Sequence, residues 1–186
     1  VERIAKISKK VQDDLAKITP SFRFNQEKDV GSYITHLTPG IIYDHAIKMS
    51  ECANPRVKDW ALYLLFKAAE KGSLEALNKL GSLILNKAPE LNFDQDCDQK
   101  IGIKFLKESA KHGNVEALMS LGFHHLKGNG VKQDIDKALG YYTQAHDIGH
   151  ADAFSNMSFI RKEILRSTDP KKAALTLSLV SNNPRE

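Results

Sequence analysis

Cysteine is scarce in this sequence, and long apolar runs are missing. Cys52 and Cys97 are the only cysteines among 186 residues, and they share no metal-ligand spacing. Two cysteines are too few for a disulfide framework, so we expect two reduced thiols. The longest apolar runs, such as Ala61 to Phe66, fall far short of the roughly 20 residues that a membrane-spanning helix needs. The composition therefore excludes a disulfide-stapled domain, and we expect no transmembrane segment.

A secretory signal pattern is also missing from the first ten residues, which are charged and have helical spacing. The sequence begins with Val1 rather than with methionine, so we expect a fragment or a processed product. We expect the protein to be soluble, and to be either cytoplasmic or an exported effector.

Charge of one sign does not dominate the chain. Lysine and arginine number 27, aspartate and glutamate 23, and the formal net charge is +4. The basic residues are interleaved with the acidic ones along the chain, whereas a nucleic-acid binder usually clusters them on one face. We therefore expect no nucleic-acid partner. The hydrophobic content of 41% is enough for one extended domain with a continuous core.

A repeated pattern of glycines and small residues organises most of the chain. Gly72, Gly113 and Gly149 are each followed four residues later by alanine, and four residues further by a large apolar residue. The last two glycines are 36 residues apart and the first two are 41 apart, which predicts a short insertion that we place within residues 88–96. A period of this length is typical of a solenoid of stacked helix pairs.

The spacing within each unit predicts a helix, a loop, a second helix and a glycine stop. Ala117, Leu121 and His125 lie four residues apart and therefore share one helix face. Asp98 and Asp134 stand just before the second helices and are predicted N-caps. The repeated glycines are predicted helix stops, because glycine adopts the left-handed conformation after a helix at little cost.

The clearest unit reads ALMSLGFHHLKGNGVKQDIDKALGYYTQAHDIG, from Ala117 to Gly149. Its small residues, its glycine-containing loop and its aromatic pair resemble the SEL-like repeat family, a relative of the tetratricopeptide repeats. The positions that match are Leu121-Gly122, Gly128-x-Gly130-Val131, Asp134, Lys137-Ala138, Tyr141-Tyr142, Ala145 and Gly149. The resemblance implies an all-α fold, a right-handed α-α superhelix of about four SEL-like helix pairs.

The chain departs from the family pattern at several positions. His125 occupies the tyrosine position of the clearest unit, and Ser158 replaces the glycine of the fourth unit. The second helix of that fourth unit is predicted around Ala174, with Asp169-Pro170 as its cap and first position. Terminal repeats are often irregular because they cap the array.

We divide the chain into two parts, residues 1–37 and residues 38–186. The second part holds the repeats, and its first pair of helices opens at Thr38-Pro39 and at Asn54-Pro55. The first part is predicted to be an N-terminal amphipathic helix that ends at Pro20, followed by a linker. We expect this helix to pack as a cap on the first repeat, or else to contact a partner or an upstream domain. Its apolar stripe consists of Ile4, Val11, Leu15 and Ile18.

No group of residues in the sequence predicts catalysis, a metal site or a cofactor. His124 and His125 are adjacent and point to different faces of a helix, so we expect His125 in a packing position and His124 exposed. The Asp-x-Asp-x-Asp segment 94–98 resembles half of a calcium loop, but Gln99 stands where that loop needs glycine. The Gly128-x-Gly130 loop lacks the lysine-serine pair of a phosphate loop. We therefore expect no enzyme activity within this chain.

The resemblance to tetratricopeptide repeats implies that the first helix of each pair lines a concave groove. Phe123 and Phe159 occupy the same position in successive units, so they would anchor a partner peptide or helix in that groove. Alternatively, they pack between neighbouring repeats. The predicted groove residues are Asn78, Ser82 and Asn86, then Met119, Phe123 and Lys127, then Ser155, Phe159 and Glu163.

SEL-like repeat proteins often serve as scaffolds in bacterial signalling, in host interaction and in eukaryotic degradation complexes. The resemblance therefore implies a non-catalytic adaptor that holds a protein partner in its groove. Two alternatives stay open. The chain would otherwise be a regulatory or substrate-recruiting domain of a larger enzyme whose catalytic part is absent from it, or a glycan-associated module.

Overall fold

The computed structural model describes residues 8–18, 34–86 and 99–166. These residues form eight α-helices and no strand. The helices are α1 (Lys9–Ile18), α2 (Pro39–Ser50), α3 (Pro55–Glu70), α4 (Leu74–Leu85), α5 (Gln99–Lys111), α6 (Val115–Lys127), α7 (Ile135–Asp147) and α8 (Ala151–Arg166). None of them is long and apolar enough to cross a membrane.

The helices after α1 stack as pairs along the chain. Helices α2, α4 and α6 each pack against the helix that follows them, and α3, α5 and α7 each pack against the first helix of the next unit. Each unit therefore contacts mainly its neighbours, which is the arrangement of an all-α repeat solenoid. Helix α8 opens a fourth pair, and the second helix predicted around Ala174 lies outside the described residues.

Polar side chains start the helices where the sequence predicts them. Thr38 and Asn54 cap α2 and α3, and a proline follows each of them. The Asp134 carboxylate accepts a hydrogen bond from the Lys137 backbone N–H at 3.0 Å, which confirms the predicted cap of α7. The predicted cap at Asp98 and the insertion within residues 88–96 lie outside the described part of the chain.

The three repeated glycines end the second helices as expected. Gly72, Gly113 and Gly149 have φ angles of 95°, 90° and 99°, a region that side chains with a Cβ rarely adopt. After each glycine, the next backbone N–H donates to the carbonyl five residues earlier, as in a Schellman motif. The residue that donates this hydrogen bond directly precedes the next first helix. One short turn therefore ends one helix and begins the next.

Small residues let the two helices of a pair approach closely. A Cβ added to Gly81 would lie 2.9 Å from the Gly102 carbonyl oxygen on α5. A Cβ added to Gly122 would lie 2.7 Å from the Tyr142 ring on α7. Large side chains such as Phe66 and Leu121 are fully buried between the helices, which is the ridge-and-groove packing of close helices.

Helix α1 lies across the second helices of the first two pairs, since it contacts both α3 and α5. Val11 is only 4% exposed there, and the Ser8 backbone N–H donates to the Glu108 carboxylate at 2.7 Å. This placement differs from the predicted cap on the first repeat alone, because α1 packs against two neighbouring units. Ile34 is also buried in the core of the first pair. The boundary at residue 37 stays a prediction.

Candidate protein-binding face of the first helices

The nine predicted groove residues lie on three successive first helices, at the same positions of α4, α6 and α8, and we call them the first-helix face. On each helix the three positions are four residues apart, which puts them on one side. Asn86 is an exception at its end of the face, because it is the C-cap of α4. The described cavities are lined by none of these nine residues. The face is therefore not part of either of these two cavities.

Two phenylalanines are the prominent apolar groups of this face. Phe123 on α6 is 46% exposed and Phe159 on α8 is 61% exposed. Both rings therefore leave a large part of their surface open, although each belongs to a helix that is otherwise packed. An exposed aromatic ring at the same position of two units is a repeated feature of the surface. Its role in binding stays a prediction.

The positions one turn earlier contribute to the packing between helices. The Ser120 hydroxyl lies 3.2 Å from the Asn78 side-chain oxygen, so it donates a hydrogen bond from α6 to α4. Met119 is half-buried and packs against the apolar clusters around α7 and α8. Ser155 is exposed on α8. The first-helix face is thus partly built from residues that join one unit to the next.

The remaining members are polar. Ser82 is half-buried, whereas Asn86 and Lys127 are exposed at the ends of α4 and α6. Glu163 belongs to α8, and its side chain lies outside those that the structure describes. The described polar groups flank the aromatic positions, as a polar rim flanks an apolar contact.

The sequence prediction assigned no groove residue to α2, where two apolar side chains stand at positions that correspond to those of the first-helix face. Tyr43 and Ile47 on α2 stand 35 residues before Asn78 and Ser82, and both are half-buried. The signal that would have found them is an offset of 35 residues, which also aligns the buried cores of α2 and α4. Burial raises the pKa of Tyr43, and Glu75 and then Asp44 raise it further, so the phenol stays neutral.

His124 contradicts the prediction that it is exposed, because it is only 2% exposed. The equivalent position on α8 is Ile160, which packs in one cluster with the side chains of α7. The side of a first helix that carries this position therefore packs against the preceding helix pair. The same packing on α6 buries His124. Its Nδ1 has no hydrogen-bond partner among the described residues. Burial lowers the pKa of His124, and neighbouring His125 lowers it further.

His125 takes the predicted packing position and is 5% exposed. Its ring stacks on Tyr141 with 5.4 Å between centroids and 25° between planes. Burial is the main cause that lowers the pKa of His125, and Lys107 and Lys137 lower it further, while Asp134 opposes them. Both histidines are thus held neutral inside the fold.

The described residues were also searched for side chains that could hold a metal ion. No three histidine, cysteine, aspartate or glutamate side chains in this part of the chain lie close enough to hold a metal ion. Cys52 is exposed and free. Cys97 and the acidic segment 94–98 lie outside the described ranges.

Comparison with known proteins gives one family. The Sel1 repeat model matches residues 55–73 and 115–150, which contain α3, α6 and α7. The human protein described as Protein sel-1 homolog 2 is 30% identical over 109 residues, which are 59% of this chain and 15% of that protein. The chain thus spans only a small part of this relative.

Two solved structures from bacteria share the fold. The Sel1 repeat protein from Oxalobacter formigenes is 22% identical, with a TM-score of 0.56, over 79% of this chain and 59% of its own. A protective antigen of uropathogenic Escherichia coli strains that displays an SLR fold is 20% identical, with a TM-score of 0.56, over 67% of this chain and 26% of its own.

The matched segments contain α3, the pair α6–α7 and the turns at Gly72 and Gly149. The same turns carry the left-handed glycines that define each unit. Over these segments the chain is therefore similar to the SEL-like repeat family, and its fold is that of the solved SEL-like repeat structures.

Proposed function

We propose that this chain is a non-catalytic scaffold that binds a partner peptide or domain across the first-helix face. Sel1 repeat proteins generally mediate protein–protein interactions, and this chain carries two segments that match their model. The observation that supports the proposal is the exposure of Phe123 and Phe159 at the same position of successive units. Exposed aromatic residues that recur on one face are typical anchors for a partner.

The proposed partner lies along the units and contacts both rings. The polar groups of Asn86 and Lys127 at the ends of the helices surround such a contact without needing to be buried. We further propose a bacterial signalling or host-interaction setting, which the bacterial origin of the two solved structures named above supports.

The test begins with affinity capture and mass spectrometry to obtain a partner, followed by binding measurements with purified variants. Phe123→Ala and Phe159→Ala are each expected to weaken binding by about tenfold or more, as for anchor residues. Phe154→Ala is the matched control, because Phe154 is on α8 and is 53% exposed but lies outside the first-helix face. Circular dichroism of each variant checks that the helices persist.

The proposal fails if both first-helix variants bind the partner as the parent chain does. It also fails if Phe154→Ala weakens binding as much as they do, because general apolar surface would then explain the contact.

A further inference from the structure

A cavity of about 150 Å³ lies between the first and the second helix pair, with walls from α2, α3 and α4. Leu62 and Leu65 are buried among its walls, and Leu83 is half-buried. A cavity of this volume with apolar walls can hold a group of about the size of benzene. The other lining residues are Ser50, Ala61 and the exposed lysines Lys58 and Lys79.

The second pair contains an equivalent place, because the repeat puts matching residues at the same positions of successive units. An offset of 35 residues aligns α2 with α4, and an offset of 41 residues aligns α3 with α5. Ser50 of the first pair then corresponds to Leu85 of the second. The other matching residues are Lys58 and Gln99, Leu62 and Ile103, and Leu65 and Leu106.

In the second pair this place is occupied by the loop between α6 and α7. A Cβ added to Gly130 would overlap Leu85 and would lie 3.3 Å from Gln99 Cβ, so the loop backbone lies directly against both residues. Val131 is half-buried and packs in the cluster that contains Leu85 and Ile103. The equivalent place therefore takes an aliphatic side chain, on a loop whose glycine allows the backbone to approach closely.

The connection between α4 and α5 does not carry the same pattern of residues. Residues 87–98 lie outside the described part of the chain, and their sequence contains neither glycine nor valine. Gly130 has a φ angle of 72° and lies too close to Leu85 for a Cβ. A segment without glycine therefore cannot repeat this contact at the cavity of the first pair.

We infer that this cavity binds an aliphatic side chain of a protein partner, presented on a glycine-containing segment as Val131 is presented. The cavity lies at the junction between two units, and one unit further along the chain the same junction is closed by Val131. A partner bound there would extend an interface that the repeats already form. The inference rests on the proposed scaffold function, because it states the chemistry of one further contact with a partner.

The experiment titrates the isotope-labelled full chain with the capped tetrapeptide Gly-Asn-Gly-Val, which has the sequence of residues 128–131. The methyl signals of Leu62, Leu65 and Leu83 are expected to shift in the NMR spectrum. The Kd is expected in the millimolar range, since a short flexible peptide loses conformational freedom on binding. The peptide Gly-Asn-Gly-Ser is expected to bind about tenfold more weakly, because it lacks the apolar side chain that the cavity buries.

Ser50→Leu is expected to weaken binding of the valine peptide by about tenfold or more, because a leucine at this position fills the cavity. The matched control is Thr143→Leu on α7, which does not line the cavity. Both residues are half-buried, and each hydroxyl donates to a carbonyl of its own helix. Circular dichroism checks that the helices persist in both variants.

Equal affinities for the valine and serine peptides would overturn the inference, and that comparison needs no variant of the protein. Undiminished binding by Ser50→Leu would overturn it as well. So would a parent chain that binds no peptide, and binding that then appears in Leu91→Ser/Phe93→Ser would identify residues 87–98 as the occupant.

The double variant Phe123→Ala/Phe159→Ala separates this inference from the proposed function. It is expected to bind the tetrapeptide as the parent chain does, because neither phenylalanine lines the cavity. A failure of the first-helix face therefore leaves the result at the cavity intact, and the reverse also holds.

Discussion

At the scale of single residues, exposure separates side chains that hold the fold from side chains that are free to contact a partner. Leu121 is fully buried and Phe159 is 61% exposed, although both stand on first helices of the repeat. The sequence pattern places both as apolar residues at helical spacing. Their different environments assign them different roles.

Leu121→Ala is expected to lower the free energy of unfolding by about 2–5 kcal/mol, because it leaves a cavity in a packed core. Phe159→Ala is expected to change it by less than about 0.5 kcal/mol, because most of the ring is already in water. Urea denaturation followed by circular dichroism measures both changes. Similar losses in the two variants would show that Phe159 is part of the core.

The buried histidines predict a loss of stability in acid. The pKa of His124 in the folded chain is lowered from 6.5 by burial and by His125, so the unfolded chain takes up a proton first as the pH falls. The stability that depends on the neutral ring is therefore fully present above the unfolded pKa. It is lost as the pH falls from about 6.5 through the lowered folded pKa.

His124→Leu is expected to reduce this acid sensitivity, because Leu83 and Ile160 occupy the equivalent positions and cannot take up a proton. The measurement compares urea unfolding near pH 7.5 and near pH 5.5 for the parent chain and the variant. His125 is also held neutral, so some acid sensitivity is expected to remain. An unchanged difference between the two pH values would rule out His124 as its source.

At the scale of elements, close approach between helices decides which glycines are needed. Gly122 faces the Tyr142 ring across the α6–α7 contact, whereas nothing lies within 4 Å of a Cβ added to Gly140 on α7. The two glycines are both helical, and only their surroundings differ.

Gly122→Ala is expected to destabilise the protein by about 1–3 kcal/mol, because the Tyr142 ring or the helix must move. Gly140→Ala is expected to stabilise it by up to about 1 kcal/mol, since alanine favours the helix and meets no neighbour. Thermal or urea unfolding of the two variants measures both changes in the free energy of unfolding, one a loss and the other a gain. A gain in stability for Gly122→Ala would mean that the two helices are packed less tightly than described.

Most of the element pattern follows from local sequence. Thr38-Pro39, Asn54-Pro55 and Asp134 predict the starts of three helices, because side-chain caps and proline act within one turn of the chain. The repeated glycines predict the stops for the same reason. The position of α1 could not be predicted in this way, since an amphipathic stripe indicates that a helix is covered but not which helix covers it.

At the scale of the whole molecule, each unit buries part of its apolar surface against its neighbours. Leu139 and Tyr142 of α7 lie in one cluster with Met157 and Ile160 of α8. Most of the buried residues of α3 and α4 belong to a separate cluster that includes Phe66. Stability is therefore expected to vary along the array.

Removal of residues 151–186 is expected to uncover the apolar side of α7 while the first two pairs stay folded. Hydrogen exchange is expected to quicken in α7 and to change little in α3 and α4, and a dye that binds apolar surface is expected to bind the shortened chain. A uniform loss of protection through all helices would show instead that the array unfolds as one unit.

The sequence by itself determined the helix pairs, the glycine stops, most of the buried positions and the resemblance to a repeat family. These features depend on caps, turns and periodicity, which act over a few residues, and on a unit that recurs. Only the tertiary structure decided that His124 is buried and that α1 lies across two second helices. Each of these depends on which surfaces meet when distant parts of the chain pack, and no local pattern of residues encodes that choice.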